Sequence, residues 1–242
     1  MTGELPAADH AFDGGDMDCG SGLILLIREH MLRVPAGGVL EILSSEPTVT
    51  GELPPWCRMT GHTHLASVEE WPGRWRHFVR RGAAETGAAL EQDKQQARRY
   101  EWRVRARHTG AQEATVFARN FSWRLGQPAS FEERDSEPSA LEALLGALAA
   151  DVMNAFATGC ARQGVLVDEL EATSRGTLHN VLAHLGMEEG DPSLAAVDLT
   201  VFITSPAPGE VLRGIFAEVL ERSILYRTLH KAAAVQARLA IQ

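Results

Sequence analysis

Apolar positions recur along the chain with two different periods, and the changes between them mark out the elements. Leu23, Ile24, Ile27, Met31 and Val34 fall at helical spacing and predict a helix from about Gly20 to Arg33. Pro35-Ala36-Gly37-Gly38 stops it, and Val39-Leu40-Glu41-Ile42-Leu43 alternates as a strand does. A second helix is expected after Glu46-Pro47, with Pro54-Pro55 bending or ending it. The stretches His64–Glu69 and Arg74–Arg80 read as a hairpin about Trp71-Pro72-Gly73. With a short strand leading to Cys19, the order is β-α-β-α-β-β over residues 12–82, behind a loose tail at 1–11.

Residues 83–98 hold Gly, Ala, Gln and mixed charge with few large apolar side chains, and read as a partly helical linker. A second domain is expected over 99–242. Tyr100–Ala106, Ala114–Arg119 and Phe121–Leu125 look like strands. Ser139-Ala140-Leu141-Glu142 is a capping box, in which hydroxyl and carboxylate satisfy reciprocal N–H groups at a helix start. The helix it opens should run to about Arg162, apolar on nearly every side through Leu144, Leu145, Leu148, Val152, Met153 and Phe156. Such a helix belongs in a large core or a dimer interface. Strands near 166–173 and 197–204, helices near 208–222 and 224–230, and a last strand from Val235 to Ile241 complete the order. The fold class is α+β.

Composition narrows the partners. The net charge of -9 argues against nucleic acid, whose phosphates call for a basic surface. Lysine occurs only at Lys94 and Lys231. Three cysteines, Cys19, Cys57 and Cys160, with no CxxC pair, suit a reducing cytoplasm rather than a disulfide framework. No basic-then-apolar leader is seen, and no apolar run is expected to reach membrane-spanning length, so the expected location is cytoplasmic, with no membrane partner.

Candidate chemistry centres on Asp18-Cys19-Gly20-Ser21-Gly22. A thiol where an extended segment gives way to a helix feels the positive end of the helix dipole, which favours the thiolate and lowers its pKa. Packing is the plainer role for Cys57 and Cys160. His62 and His64 flank Thr63 without a third ligand nearby, so no metal and no cofactor is expected. Arg74, Arg76, Arg80 and Arg81, interleaved with Trp75 and Phe78, read as a solvated hairpin face before a docking site for an acidic partner.

With these residues laid out, Phe12 to Arg81 resembles the TusA/SirA family of small sulfur-carrier proteins. The likeness runs from Phe12-Asp13 to Cys19, through Pro35–Ile42 and Gly51-Glu52-Leu53-Pro54, to Trp56-Cys57 and Gly61-His62. The resemblance implies a βαβαββ two-layer sandwich and a catalytic Cys19 that carries sulfur as a persulfide. Family members have Cys-Pro-x-Pro there, whereas Cys19-Gly20-Ser21-Gly22 has neither proline. From about Trp102 onward the chain resembles the OsmC/Ohr thiol peroxidases, in Arg119-Asn120-Phe121, Glu137–Glu142, Leu145–Ala150 and Glu221-Arg222-Ser223. That resemblance implies an OsmC-like α+β domain with a long buried central helix, a homodimer, and two reactive cysteines. Asp151 and Ile224 stand at those cysteine positions.

Three functions follow. The first is a sulfur carrier or sulfurtransferase working through Cys19 with sulfur donor and acceptor proteins. The second is a non-catalytic interaction or ligand-binding protein. The third, a hydroperoxide reductase, lacks both of its sulfurs. In the degenerate OsmC-type pocket, Asp151, Ile224 and Arg119 are the expected binding residues, with Asp151 paired to Arg119 because a lone buried carboxylate is costly.

Overall fold

The computed structural model describes residues 5–83, 86–110, 112–129 and 135–242. Residues 1–4 of the expected tail and 84–85 of the expected linker lie outside the described residues. The chain divides into two compact units, the first reaching Tyr100 and taking in Ala161–Val165, the second comprising Glu101–Cys160 and Leu166–Gln242.

In the first unit, strand β1 (His10–Asp13) leads through a loop to a π-type turn at Cys19–Leu23, which runs into helix α1 (Ile24–Met31). Strand β2 (Val39–Ser44), helix α2 (Val49–Thr60), and strands β3 (Thr63–Trp71) and β4 (Arg74–Arg80) follow. The sheet order is β1-β2-β4-β3, with β1 and β2 parallel and β4 antiparallel to both neighbours. One face of the sheet is covered by the two helices. Leu23, Ile27 and Met31, Val49, Leu53 and Cys57 from the helical side meet Leu40, Ile42 and Val79 of the sheet, all essentially buried. This is the α+β two-layer arrangement that the hydrophobic periods imply.

Two local expectations are corrected. The helix near Gly20 does not begin as a regular α-helix. Gly22 sits at φ 105, and Leu23 N–H reaches back five residues to the Asp18 carbonyl at 3.4 Å. Glycine tolerates this left-handed conformation, and a run of small residues lets the turn widen. Nor do Pro54 and Pro55 end α2, which continues to Gly61 in the left-handed cap position, where His62 N–H bonds the Cys57 carbonyl. Leu53 and Cys57, buried on either side of the prolines, hold the helix to the sheet, and packing outweighs two missing N–H donors.

Residues 83–98, expected as a linker, include helix α3 (Gly87–Arg98), capped by the Thr86 hydroxyl accepting from Ala89 N–H at 3.2 Å. It is tied to α1 by Arg28–Asp93 and Lys94–Glu29 ion pairs, with Leu90 buried beneath.

The second unit holds two three-stranded sheets. Strands β5 (Arg105–Gly110), β6 (Glu113–Ala118) and β7 (Phe121–Leu125) form an antiparallel meander. The first strand begins at Arg105 rather than Tyr100, and the side chains of Tyr100, Trp102 and Val104 are exposed. Helix α4 (Ala140–Arg162) opens on the expected capping box, with Ser139 N–H to Glu142 at 2.7 Å and Glu142 N–H to the Ser139 hydroxyl at 3.1 Å. Strand β8 (Glu169–Leu178), a short helix α5 (Val181–His184), strand β9 (Leu194–Thr204), helices α6 (Gly209–Arg222) and α7 (Ile224–Leu229), and strand β10 (Ala234–Ile241) complete the unit. The second sheet runs β10-β9-β8, with β10 parallel to β9.

Helix α4 corrects two further expectations. It is buried along one stripe, Leu148, Val152, Phe156 and Cys160, and not all round within a single chain. By length and composition it is also apolar enough to cross a membrane, contrary to the expectation that no run would be. Its buried stripe packs on α6, where Phe156 meets Phe216 edge-on at 5.6 Å. A Cβ on Gly159 would lie 2.7 Å from the Ile215 side chain, so glycine is what lets the two helices approach there.

Candidate functional site

Cys19 is placed by the loop that leaves β1. Gly14 N–H bonds the Leu43 carbonyl at 2.9 Å, and Asp13 accepts from Gly15 N–H at 2.8 Å. A Cβ on Gly14 would sit 2.7 Å from the Leu23 side chain, which would have to shift to admit it. Because β1 and β2 are parallel, the helical segments that follow them start at the same edge of the sheet. Cys19 opens one, and Glu52 lies in the first turn of the other.

The thiol is half-buried and free. Burial, the Glu52 carboxylate and the charge of Asp18, in that order, push the Cys19 thiol up to about 12. This reverses the expected lowering. The π-type turn has no acidic residue within its first turn, no basic one in its last, and no regular first-turn array of N–H groups to favour a thiolate. Burial first, and then the two carboxylates, set the balance.

The other cysteines pack. Cys57 and Cys160 are fully buried, and burial raises their thiols to about 12 and about 11. His62 is buried against Trp56 and accepts from Gly82 N–H at 2.9 Å. His64 bonds the Ser67 hydroxyl at 2.8 Å, which in turn bonds His77 at 2.7 Å. His77 is fully buried, and burial and then His64 lower its pKa to about 4. Its other ring nitrogen, Nε2, has no hydrogen-bond partner. No cluster of three or more His, Cys, Asp or Glu that could hold a metal ion occurs among the described residues.

Arg80 is exposed as expected, but three of the four arginines here are not simply solvated. Arg74 pairs with Asp13, Arg76 pairs with Glu41 and stacks 5.4 Å over Phe78, and Arg81 donates to the Val34 carbonyl. They tie the strands together and to the turn after α1.

In the second unit, Asp151 is held differently from expectation. Its Oδ2 accepts from the Ser223 hydroxyl at 2.6 Å and from Leu225 N–H at 3.0 Å, and the Ser223 hydroxyl accepts from Tyr226 N–H at 3.0 Å. The carboxylate thus fastens the junction of α6 and α7 to the middle of α4. Arg119 does not take part within the chain. It is exposed, at φ 54, with its guanidinium 5.3 Å over the Phe121 ring. The physical reason is local: two donors at a helix start satisfy the carboxylate without a cation. Ile224 lies beside this junction with its side chain largely exposed. So Asp151 and the Ile224 segment come together, and Arg119 stands apart.

Two residues that matter to these sites were not singled out from sequence, Glu52 and Ser223. For Glu52 the usable signal was the β-α-β-α order itself, which brings two helix starts to one sheet edge. For Ser223 it was the serine immediately before a helix at Ile224, a preferred N-cap residue.

No protein-family model matches the chain. The sulfur carrier protein TusA of Pseudomonas entomophila is 27% identical over 75 residues, spanning 31% of this chain and 91% of that protein. TusA of Pseudomonas putida W619 is 26% identical over 83 residues, 34% of this chain and 99% of that protein. Among solved structures, an OsmC-like protein from Mycoplasma pneumoniae superposes with TM-score 0.51 at 16% identity, covering 59% of this chain and 98% of that one. An organic hydroperoxide resistance protein OsmC from Legionella pneumophila gives TM-score 0.45 at 16% identity over 59% of this chain. The chain joins an N-terminal third with distant TusA homology to a larger remainder with the fold of an OsmC-like protein.

Proposed function

We propose that this protein is a sulfur carrier or sulfurtransferase that accepts sulfane sulfur on Cys19 as a persulfide. The observation that carries the reading is the position of Cys19, between β1 and α1 of a βαβαββ unit homologous to sulfur carriers. Donor and acceptor proteins exchange sulfur with it. In the step itself, the Cys19 sulfur attacks the outer sulfur of a donor hydropersulfide. The donor S–S bond breaks, the donor leaves as a thiol bearing the Cys19 proton, and Cys19 becomes a hydropersulfide, with no net oxidation. The OsmC-like unit is a peroxidase-inactive dimerisation or ligand-binding module. The exposed flanks of α4, and Phe121 and Trp123 on β7, support a second copy as its cover. The proposed location is cytoplasmic.

Mass spectrometry after incubation with a hydropersulfide donor tests the reading. One sulfur is gained on Cys19 and none by Cys19→Ser. Absence of that gain, or its appearance on Cys57 or Cys160, overturns the carrier assignment. A second reading, a non-catalytic interaction or ligand-binding protein, is favoured by the raised Cys19 thiol and the missing prolines. It predicts no sulfur uptake by the intact wild-type chain. For hydroperoxide reduction, Asp151 and Ile224 offer no nucleophilic sulfur, and peroxide consumption with a dithiol is expected at background.

A further inference from the structure

The hydrogen-bonded chain His64–Ser67–His77 on the first sheet has a property that neither histidine has alone. We propose that it is a tautomer relay: when His64 becomes charged near the surface, the ring hydrogen of buried His77 changes from Nδ1 to Nε2, and no net charge enters the core. The relay is independent of whether Cys19 carries sulfur.

A bulge in β3 brings the three side chains together. His64 pairs across the ladder with Val79, Ala66 with Phe78 and Ser67 with His77, so Leu65 is the extra residue. In a regular strand, side chains three apart point to opposite faces, and the bulge puts His64 and Ser67 on one. Ile42 stands opposite His77 and belongs to the core beneath the helices, which identifies that face. His64 Nε2 then lies 2.8 Å from Ser67 Oγ, and Ser67 Oγ lies 2.7 Å from His77 Nδ1. His77 is fully buried, and its Nε2 has no hydrogen-bond partner.

Ser67 has one hydrogen to give, so with both bonds made the neutral chain has two arrangements. In the first, Ser67 donates to His64 Nε2, and His77 donates from Nδ1 with Nε2 bare. In the second, His64 donates from Nε2, Ser67 donates to His77 Nδ1, and His77 carries its hydrogen on Nε2. The first buries a lone pair without a partner and the second an N–H. Unpaired buried N–H groups are rarer in folded proteins than under-satisfied acceptors, so the neutral chain rests in the first. Once charged, His64 has hydrogens on both nitrogens and can only donate, which leaves the second. The balance is one proton gained. Ser67 gives its hydrogen to His64 Nε2 and takes the Nδ1 hydrogen of His77, and His77 Nε2 receives a proton from solvent. The positive charge stays on His64, the less buried ring.

Among the described residues, the charges on the elements around this chain point or pair elsewhere. Arg74, Arg76 and Arg80 alternate with His77 along β4 and face the other side, where Arg74 pairs with Asp13 and Arg76 with Glu41 of β2. On β3, Glu69 accepts from Gly73 N–H at 3.0 Å at the hairpin turn, and Glu70 meets Arg76. Helix α2 packs on β3 and β4 and contributes Glu52 and Arg58, both exposed, and the buried neutral thiol of Cys57. Beyond burial, His64 is the group that acts on His77.

Nitrogen-15 NMR of the histidine rings in the whole chain, between about pH 5 and about pH 8, reads each ring nitrogen as bare or protonated. At the alkaline end His77 should show a protonated Nδ1 and a bare Nε2, and at the acid end the reverse. The changeover should share its midpoint with the titration of His64, below the ordinary histidine value of 6.5 because burial holds His64 down. In Ser67→Ala the chain is cut, and His77 should keep one tautomer while His64 still titrates. In His64→Gln the titrating ring is gone, and the same constancy is expected. A His77 tautomer that stays the same across the His64 titration in the native protein overturns the proposal. So does a His77 ring that gains a second hydrogen at the His64 midpoint, and so does a changeover that survives Ser67→Ala. Where a variant does not fold, the native spectra decide by themselves.

Discussion

The two units differ at the positions that the family resemblances mark. In the first, Cys19 opens a π-type turn, and Gly20 and Gly22 stand where the sulfur-carrier resemblance implies prolines. In the second, Asp151 and Ile224 stand where the resemblance implies cysteines, and Asp151 is fastened to Ser223 and Leu225 across α4, α6 and α7. Burial first, and then carboxylates, raise the Cys19 thiol, whereas at position 151 the carboxylate is itself the group held, by two donors.

The largest effect that separates the units is acid sensitivity. His77 is buried, with its pKa lowered from 6.5 to about 4. The unfolded chain therefore binds more protons between those values, and stability present above pH 6.5 is lost as the pH falls toward about 4. The loss in the first unit amounts to about 3 kcal/mol. Hydrogen exchange read separately in the two units should show the first weakening with acid, and His77→Gln should flatten that dependence. Equal weakening of both units would remove the contrast.

Next is Asp151→Ala, which leaves the Ser223 hydroxyl and Leu225 N–H without their acceptor. We expect about 2 kcal/mol of destabilisation in the second unit, seen as faster exchange in α6 and α7, with Cys19 labelling unchanged. A neutral result would mean that the junction does not depend on the carboxylate.

The smallest expected effect sharpens the idea of a remodelled frame. Asp151→Cys with Ile224→Cys restores both sulfurs, yet peroxide turnover should stay at background. The side chain at 224 points largely to solvent, and the bond to Leu225 N–H that organises this corner is gone. Appreciable turnover would show that only the sulfurs had been lost.

Much of this was legible in the chain. The βαβαββ order followed from apolar periods and Pro-Gly stops, the capping box at Ser139 was readable to the atom, and Cys19 stood out from its position alone. What escaped depends on contacts between segments far apart in sequence. The Cys19 thiol is raised first by burial and then by Glu52, thirty-odd residues away, so a local helix-dipole argument gave the wrong sign. Pro54 and Pro55 signal a break locally, but Leu53 and Cys57 lock α2 onto the sheet. Asp151 called for a partner, and sequence offered an arginine where folding brought a serine and a backbone amide. The uniform apolarity of α4 told of burial without saying that one stripe is met within the chain.

The clasp between α3 and α1 has a practical consequence. Its Arg28–Asp93 and Lys94–Glu29 pairs are partly exposed, and such pairs weaken as salt screens them. Lys94, Arg98 and Arg99 lie on or just after this helix, ahead of the second unit. Raised ionic strength should therefore open a trypsin-sensitive window at residues 94–99, while low salt protects it.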